Sequence, residues 1–148
     1  MRPWIFMVLL SGSLAAACSD SPESISNGGR EAAGAANALP GEKKKCPLPD
    51  GYYFTYRFGD RPQLGTVILK IQVFGPDGKQ AAPFSIHGSY GMPEMQGAHD
   101  SGDRDFELNR KGDYLLPMNI VMPGEWELNI TFLKGEKRFY RGAFKFKV

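Results

Sequence analysis

Cysteine and histidine, the side chains of most structural zinc centres, number only two each in 148 residues. That scarcity excludes a multi-disulfide scaffold and the paired Cys-x-x-Cys spacing of structural zinc. Gly-x-Ser-x-Gly elbows, Walker phosphate loops and a Ser/His/Asp order of known type are missing too, so the chain is not expected to be an enzyme. Charge of one sign is not in excess: 18 Lys plus Arg against 16 Asp plus Glu leave +2, no field for nucleic acid. No window keeps a 3.6-residue apolar period, which excludes bundles and coiled coils, and the length excludes a large multidomain enzyme. What is plentiful is glycine (18), proline (11) and aromatic residues (12%), the composition of short strands broken by turns.

The amino terminus reads as an address. Arg2 precedes an apolar stretch from Trp4 to Ala17, shorter than the roughly 20 residues of a spanning helix, and small residues lead into Cys18. Leu14-Ala15-Ala16-Ala17-Cys18 resembles the lipobox of bacterial lipoproteins, with leucine one place earlier than the commonest form. The resemblance implies a signal peptide at 1–17, cleavage before Cys18 and lipidation of its sulfur. Ser19 stands where aspartate would favour the inner membrane, which implies an outer-membrane anchor facing the periplasm. Buried acyl chains at about 0.8 kcal/mol per methylene make such an anchor stable. Residues 18–50 read as the lipidated cysteine and a flexible tether, because Ser19 to Lys45 has hardly a large apolar side chain; a flexible chain of that length reaches roughly 30 Å. With Cys18 acylated, Cys46 has no intramolecular partner, leaving a buried thiol, a thiolate ligand or a mixed disulfide open.

From residue 51 to 148 the expectation is an all-β domain, an immunoglobulin-like antiparallel β-sandwich of about seven strands, with a small barrel as the competitor. Val67, Leu69, Ile71 and Val73 alternate with Lys70 and Gln72; Trp126, Leu128, Ile130 and Phe132 alternate with Glu127, Asn129 and Thr131. Phe84, Ile86 and Tyr90 are expected inside, as are Phe106 and Leu108 within one run, Arg104 to Leu108. Pro76-Asp77-Gly78, Lys111-Gly112-Asp113 and Pro123-Gly124 carry turn chemistry between the runs.

One stretch breaks the pattern, Tyr90 to Gly102, with two methionines and a histidine in a turn-rich loop. Thioethers are soft donors, so Met92, Met95 and His99 form a set that would select Cu(I) over hard cations if the loop lets them converge. Pro93 stiffens that loop, and Gly91, Gly97 and Gly102 let it fold back. The alternative is that both methionines are apolar filler at the open end of the sandwich, with His99 solvated beside Asp100. Asp100, Asp103 and Asp105 lack EF-hand spacing and read as a solvated acidic turn. His87, out of phase with Ile86, is expected on an outer sheet face.

The order Gly65-Thr66-Val67-Ile68-Leu69, Pro76-Asp77-Gly78-Lys79, Met92-Pro93-Glu94-Met95, His99, Lys111-Gly112-Asp113-Tyr114 and Met122-Pro123-Gly124-Glu125-Trp126 resembles the YtkA-like domain, related to the FixH-like proteins, over about residues 52 to 148. The resemblance implies an exported or membrane-tethered sandwich, often associated with copper handling. It carries Met92, Met95 and His99 over as candidate metal ligands. It adds Met122 as a further candidate, although the phase of Met122 with Met118 and Ile120 also suits core packing. Two functions follow as expectations. One is an envelope lipoprotein that buffers copper or passes it to an envelope copper-handling partner. The other is a metal-free module that holds an assembly partner through its sheet edges and apolar loop.

Overall fold

The computed structural model describes residues 35–148 other than 96 and 98; Cys18 and the signal peptide expected at 1–17 lie outside these described residues. In chain order the strands are β1 (Asn37–Ala38), β2 (Cys46–Pro47), β3 (Tyr53–Phe58), β4 (Gly65–Phe74), β5 (Ser85–Gly91), β6 (Arg104–Asp105), β7 (Glu107–Leu108), β8 (Tyr114–Ile120), β9 (Glu125–Lys134) and β10 (Lys137–Lys147). They form two five-stranded sheets, ordered β1-β10-β9-β5-β6 and β2-β3-β4-β8-β7. All pairings are antiparallel except β1 with β10, which is parallel. The fold is the all-β sandwich expected from the strand pattern, with ten strands among the described residues where about seven were expected, since β1, β2, β6 and β7 are two-residue strands too short to show an alternation.

Period-two alternation decides which faces meet. Val67, Leu69, Ile71 and Val73 on β4 are buried, as are Trp126, Leu128, Ile130 and Phe132 on β9. Burying each large apolar side chain contributes roughly 1.5–3 kcal/mol. Rings from the two sheets join across the middle: Phe54 meets Phe132 at 4.8 Å, Tyr56 stacks on Phe144 at 4.4 Å, and Phe58 meets Phe146 at 5.0 Å between centroids. The Tyr114 hydroxyl donates to the Phe84 carbonyl at 2.7 Å, and the Asn119 amide donates to the Tyr90 hydroxyl at 3.0 Å, so buried phenols also tie one sheet to the other.

Three expectations are corrected. The tether does not extend to residue 50: β1 adds to the edge of β10, the Leu39 amide donates to Ala143, and Cys46 and Leu48 are core residues. Backbone pairing at a sheet edge needs no apolar run, so composition did not reveal it. Arg104 to Leu108 is not one strand, because β6 pairs with β5 in one sheet and β7 with β8 in the other, with Phe106 buried at the crossing. That switch leaves Leu108 at the sandwich rim, 52% exposed, where an inward position was expected. Gly88 makes room for the crossing: a β-carbon there would lie 2.8 Å from Phe106 and 2.9 Å from Leu116.

Candidate functional site

The β5–β6 loop starts where β5 runs out of side chain at Gly91. Its neck is clamped: the Ser101 amide donates to the Tyr90 carbonyl at 2.9 Å, and the Tyr90 amide donates to the Ser101 hydroxyl at 2.9 Å. One step inward, a β-carbon on Gly91 would meet the His99 carbonyl at 3.2 Å and the Asp100 Cα at 3.4 Å, a close approach that glycine permits. This register sets residue 99 across the neck from residue 92. The Gly102 amide donates to the Asp100 carboxylate at 2.9 Å, which closes the return arm. Pro93–Met95 form a single 3-10 turn in which the Met95 amide donates to the Met92 carbonyl at 3.0 Å.

Met92 and Met95 line one cavity of about 250 Å³, together with Ser89, Asp100, Glu127 and Asn129. The floor follows from the β5–β9 register, which sets Ser89 opposite Asn129 and Gly91 opposite Glu127 on the outer face of the sheet. Met92 is half-buried and packs against the core, whereas Met95 is 41% exposed. His99 is half-buried and is not among the residues lining this cavity. Met122 is half-buried beyond the end of β8 and is not among them either; its carbonyl accepts from the Trp126 indole at 3.1 Å. The Met92 methyl reaches over the same turn, 2.6 Å from where a β-carbon of Gly124 would stand.

The structure thus brings two of the expected donors to one cavity, with His99 on the loop neck and Met122 at the neighbouring turn. Among the described residues no three His, Cys, Asp or Glu side chains are grouped to hold an ion. Glu127 and Asn129 are not legible in the sequence as cavity residues, because alternation shows that they face outward without showing what loop lies over them. Cys46 is fully buried among aromatic rings, and burial pushes its thiol up to about 11. Of the three readings of this cysteine, the free buried thiol is the one the packing supports. His87 lies on an outer face as expected, paired through Nδ1 with Asp105.

The polar groups around Asp113 are consumed by the fold. Asp113, 2% exposed, accepts from Gln72 at 2.7 Å, Gln80 at 3.1 Å and Asn109 at 3.3 Å, and it pairs with Lys70. Burial pushes its carboxyl up, but the side-chain donors, Lys70 first, outweigh that and hold it at about 2.

Among the described residues no helix is long and apolar enough to cross a membrane. No protein-family model and no curated protein matches the chain. Among solved structures, the chain is similar to the soluble domain of PmoD from Methylocystis sp. (Rockwell), with 14% identity, a TM-score of 0.44, and coverage of 70% of this chain and 95% of that domain.

Proposed function

We propose that this chain is an envelope lipoprotein, anchored through Cys18, whose sandwich binds copper as Cu(I) and buffers it or transfers it to an envelope partner. It acts by binding and ligand exchange and performs no catalysis. The observation that supports this reading is the placement of the Met92 and Met95 side chains on one open cavity beside the loop neck that carries His99. Two thioethers and an imidazole suit a soft monovalent ion, and an open site lets a partner's sulfur or nitrogen donors replace them in turn. Met122, one turn away, is the reserve donor of the same rim.

A competitive Cu(I) titration of the full chain in detergent against a chromophoric chelator tests the reading. One-to-one binding that is lost when Met92, Met95 and His99 are all changed to Ala supports it. A folded wild-type protein that takes up no Cu(I) removes it. Acidification should weaken binding if His99 contributes, because imidazole must be deprotonated to coordinate, and leave it unchanged if thioethers act alone. Loss of palmitate labelling in Cys18→Ser tests the anchor.

The second reading, a metal-free assembly module, is favoured by exposed apolar residues at one end of the other sheet. Leu64 and Val121 flank the Gly65–Ile120 pair and are 56% and 54% exposed, with Ile68 nearby at 45%. A stoichiometric partner that is retained by the triple Ala variant and by chelator-treated protein would favour it.

A further inference from the structure

Beside the methionine cavity lies a second cleft of about 190 Å³, on the same outer sheet face and sharing Ser89 and Asn129 with it. Its walls include His87, Thr131, Arg138 and Arg141, and Asp103 stands at the same cleft. Cross-strand register builds most of this: His87, Thr131 and Arg141 occupy one row across β5, β9 and β10, and Ser89, Asn129 and Ala143 the next. The small Ala143 leaves the second row open.

Arg138 reaches the cleft because β10 is irregular. Residues three apart on a regular strand point to opposite faces. The register of β10 against β9 shifts between Arg138 and Tyr140, so Phe139 and Tyr140 both turn inward, Phe139 stacking on Phe84 at 4.8 Å and Tyr140 meeting Phe132 at 6.0 Å. Two consecutive inward residues leave Arg138 and Arg141 flanking them on one outer face. A bulge that re-aims a side chain is a recurrent way to build a site on a sheet. Among the described residues neither guanidinium has a carboxylate within salt-bridge distance, and the only side-chain bond of the pair is a long one, 3.5 Å from Arg141 to the Asn129 carbonyl oxygen. Asp105 is taken up by His87.

We infer that this cleft is a binding site for a small oxyanion, a carboxylate or a phosphate, held by the Arg138 and Arg141 guanidinium groups with the Thr131 and Ser89 hydroxyls as neutral donors. Guanidinium forks match both anions in geometry, and hydroxyl donors fill remaining acceptor positions. Asp103 sets the charge limit: it opposes a dianion more than a monoanion. The site is independent of the copper reading and needs no metal.

The test uses the full chain in detergent, with the Arg Nε–Hε signals followed by NMR as inorganic phosphate, acetate or malonate is added, and chloride at equal ionic strength as the control. Saturable shifts of Arg138 and Arg141 with phosphate or with a carboxylate support the inference and identify which anion is preferred. Arg138→Gln and Arg141→Gln should each weaken binding by about ten-fold or more, and Asp103→Asn should tighten phosphate several-fold. Both arginines lie on the outer face, so unchanged thermal melts will show that these variants are folded. Shifts that chloride reproduces, or binding that survives both Gln substitutions, would overturn the assignment.

Discussion

The turn around Asp113 and the loop from Gly91 to Ser101 both interrupt the strand pattern, yet they use their polar atoms in opposite ways. At Asp113 one carboxylate engages four side chains from three segments, and Asn109 returns its own oxygen to the Lys111 and Asp113 amides. Both oxygens of the Asp113 carboxylate are occupied, which makes the turn a fastening. In the loop, the hydrogen bonds among the described residues lie at the neck and in one short turn, and the thioethers are left facing a cavity. Side chains that the fold has already engaged are poor candidates for function; those held in place by their backbone but left without partners are good ones. The two outer-face arginines, which have no carboxylate partner among the described residues and one long bond to Asn129 between them, stand closer to the second kind.

Substitutions should separate the two regions. Asp113→Ala leaves Lys70, Gln72 and Gln80 without their acceptor and should cost about 3 kcal/mol in urea unfolding, with Cu(I) affinity changed by less than about two-fold. Met92→Ala with Met95→Ala should do the reverse: Cu(I) affinity falls by about a hundred-fold in chelator competition, while stability drops by less than the Asp113 variant loses. An equal loss of both properties in either variant would break the contrast.

Acid should act through the fastening. The folded carboxyl of Asp113 lies near 2, below the ordinary carboxylate value, so its stabilisation is present above about pH 4 and is lost as pH falls towards 2. That window is worth about 2 kcal/mol, measurable as the difference in pH dependence between the wild type and Asp113→Asn. The smallest expected effect joins the two themes. Gly124→Ala places a β-carbon 2.6 Å from the Met92 methyl and strains a residue at φ +144°, so Cu(I) binding should weaken several-fold alongside a stability loss of about 1 kcal/mol. A variant that loses stability but keeps its affinity would show that Met92 is not poised by this turn.

Much of the sandwich is legible along the chain, because strand faces are recorded locally. Residues 67 to 73 and 126 to 132 state their inward and outward sides in alternate letters, and burial follows them. The β5–β6 loop is equally visible as a break in that alternation. Less visible are features that depend on a distant strand. Asn37 and Ala38 look like tether until the edge of β10 is there to receive them, and Phe106 looks like the middle of a strand until two sheets are there to share its neighbours.

The same division holds for the sites. Sequence alone singled out Met92, Met95 and His99 as a candidate set of two thioethers and one imidazole, since donor chemistry belongs to the side chain and needs no fold. Which of them share a cavity, and that Glu127 and Asn129 form its floor, was decided by the β5–β9 register. That Arg138 and Arg141 share a face was decided by one irregular step in β10. A side chain's chemistry travels with its letter, whereas its company is set by strand pairing between residues far apart in the chain, and local sequence does not encode that pairing.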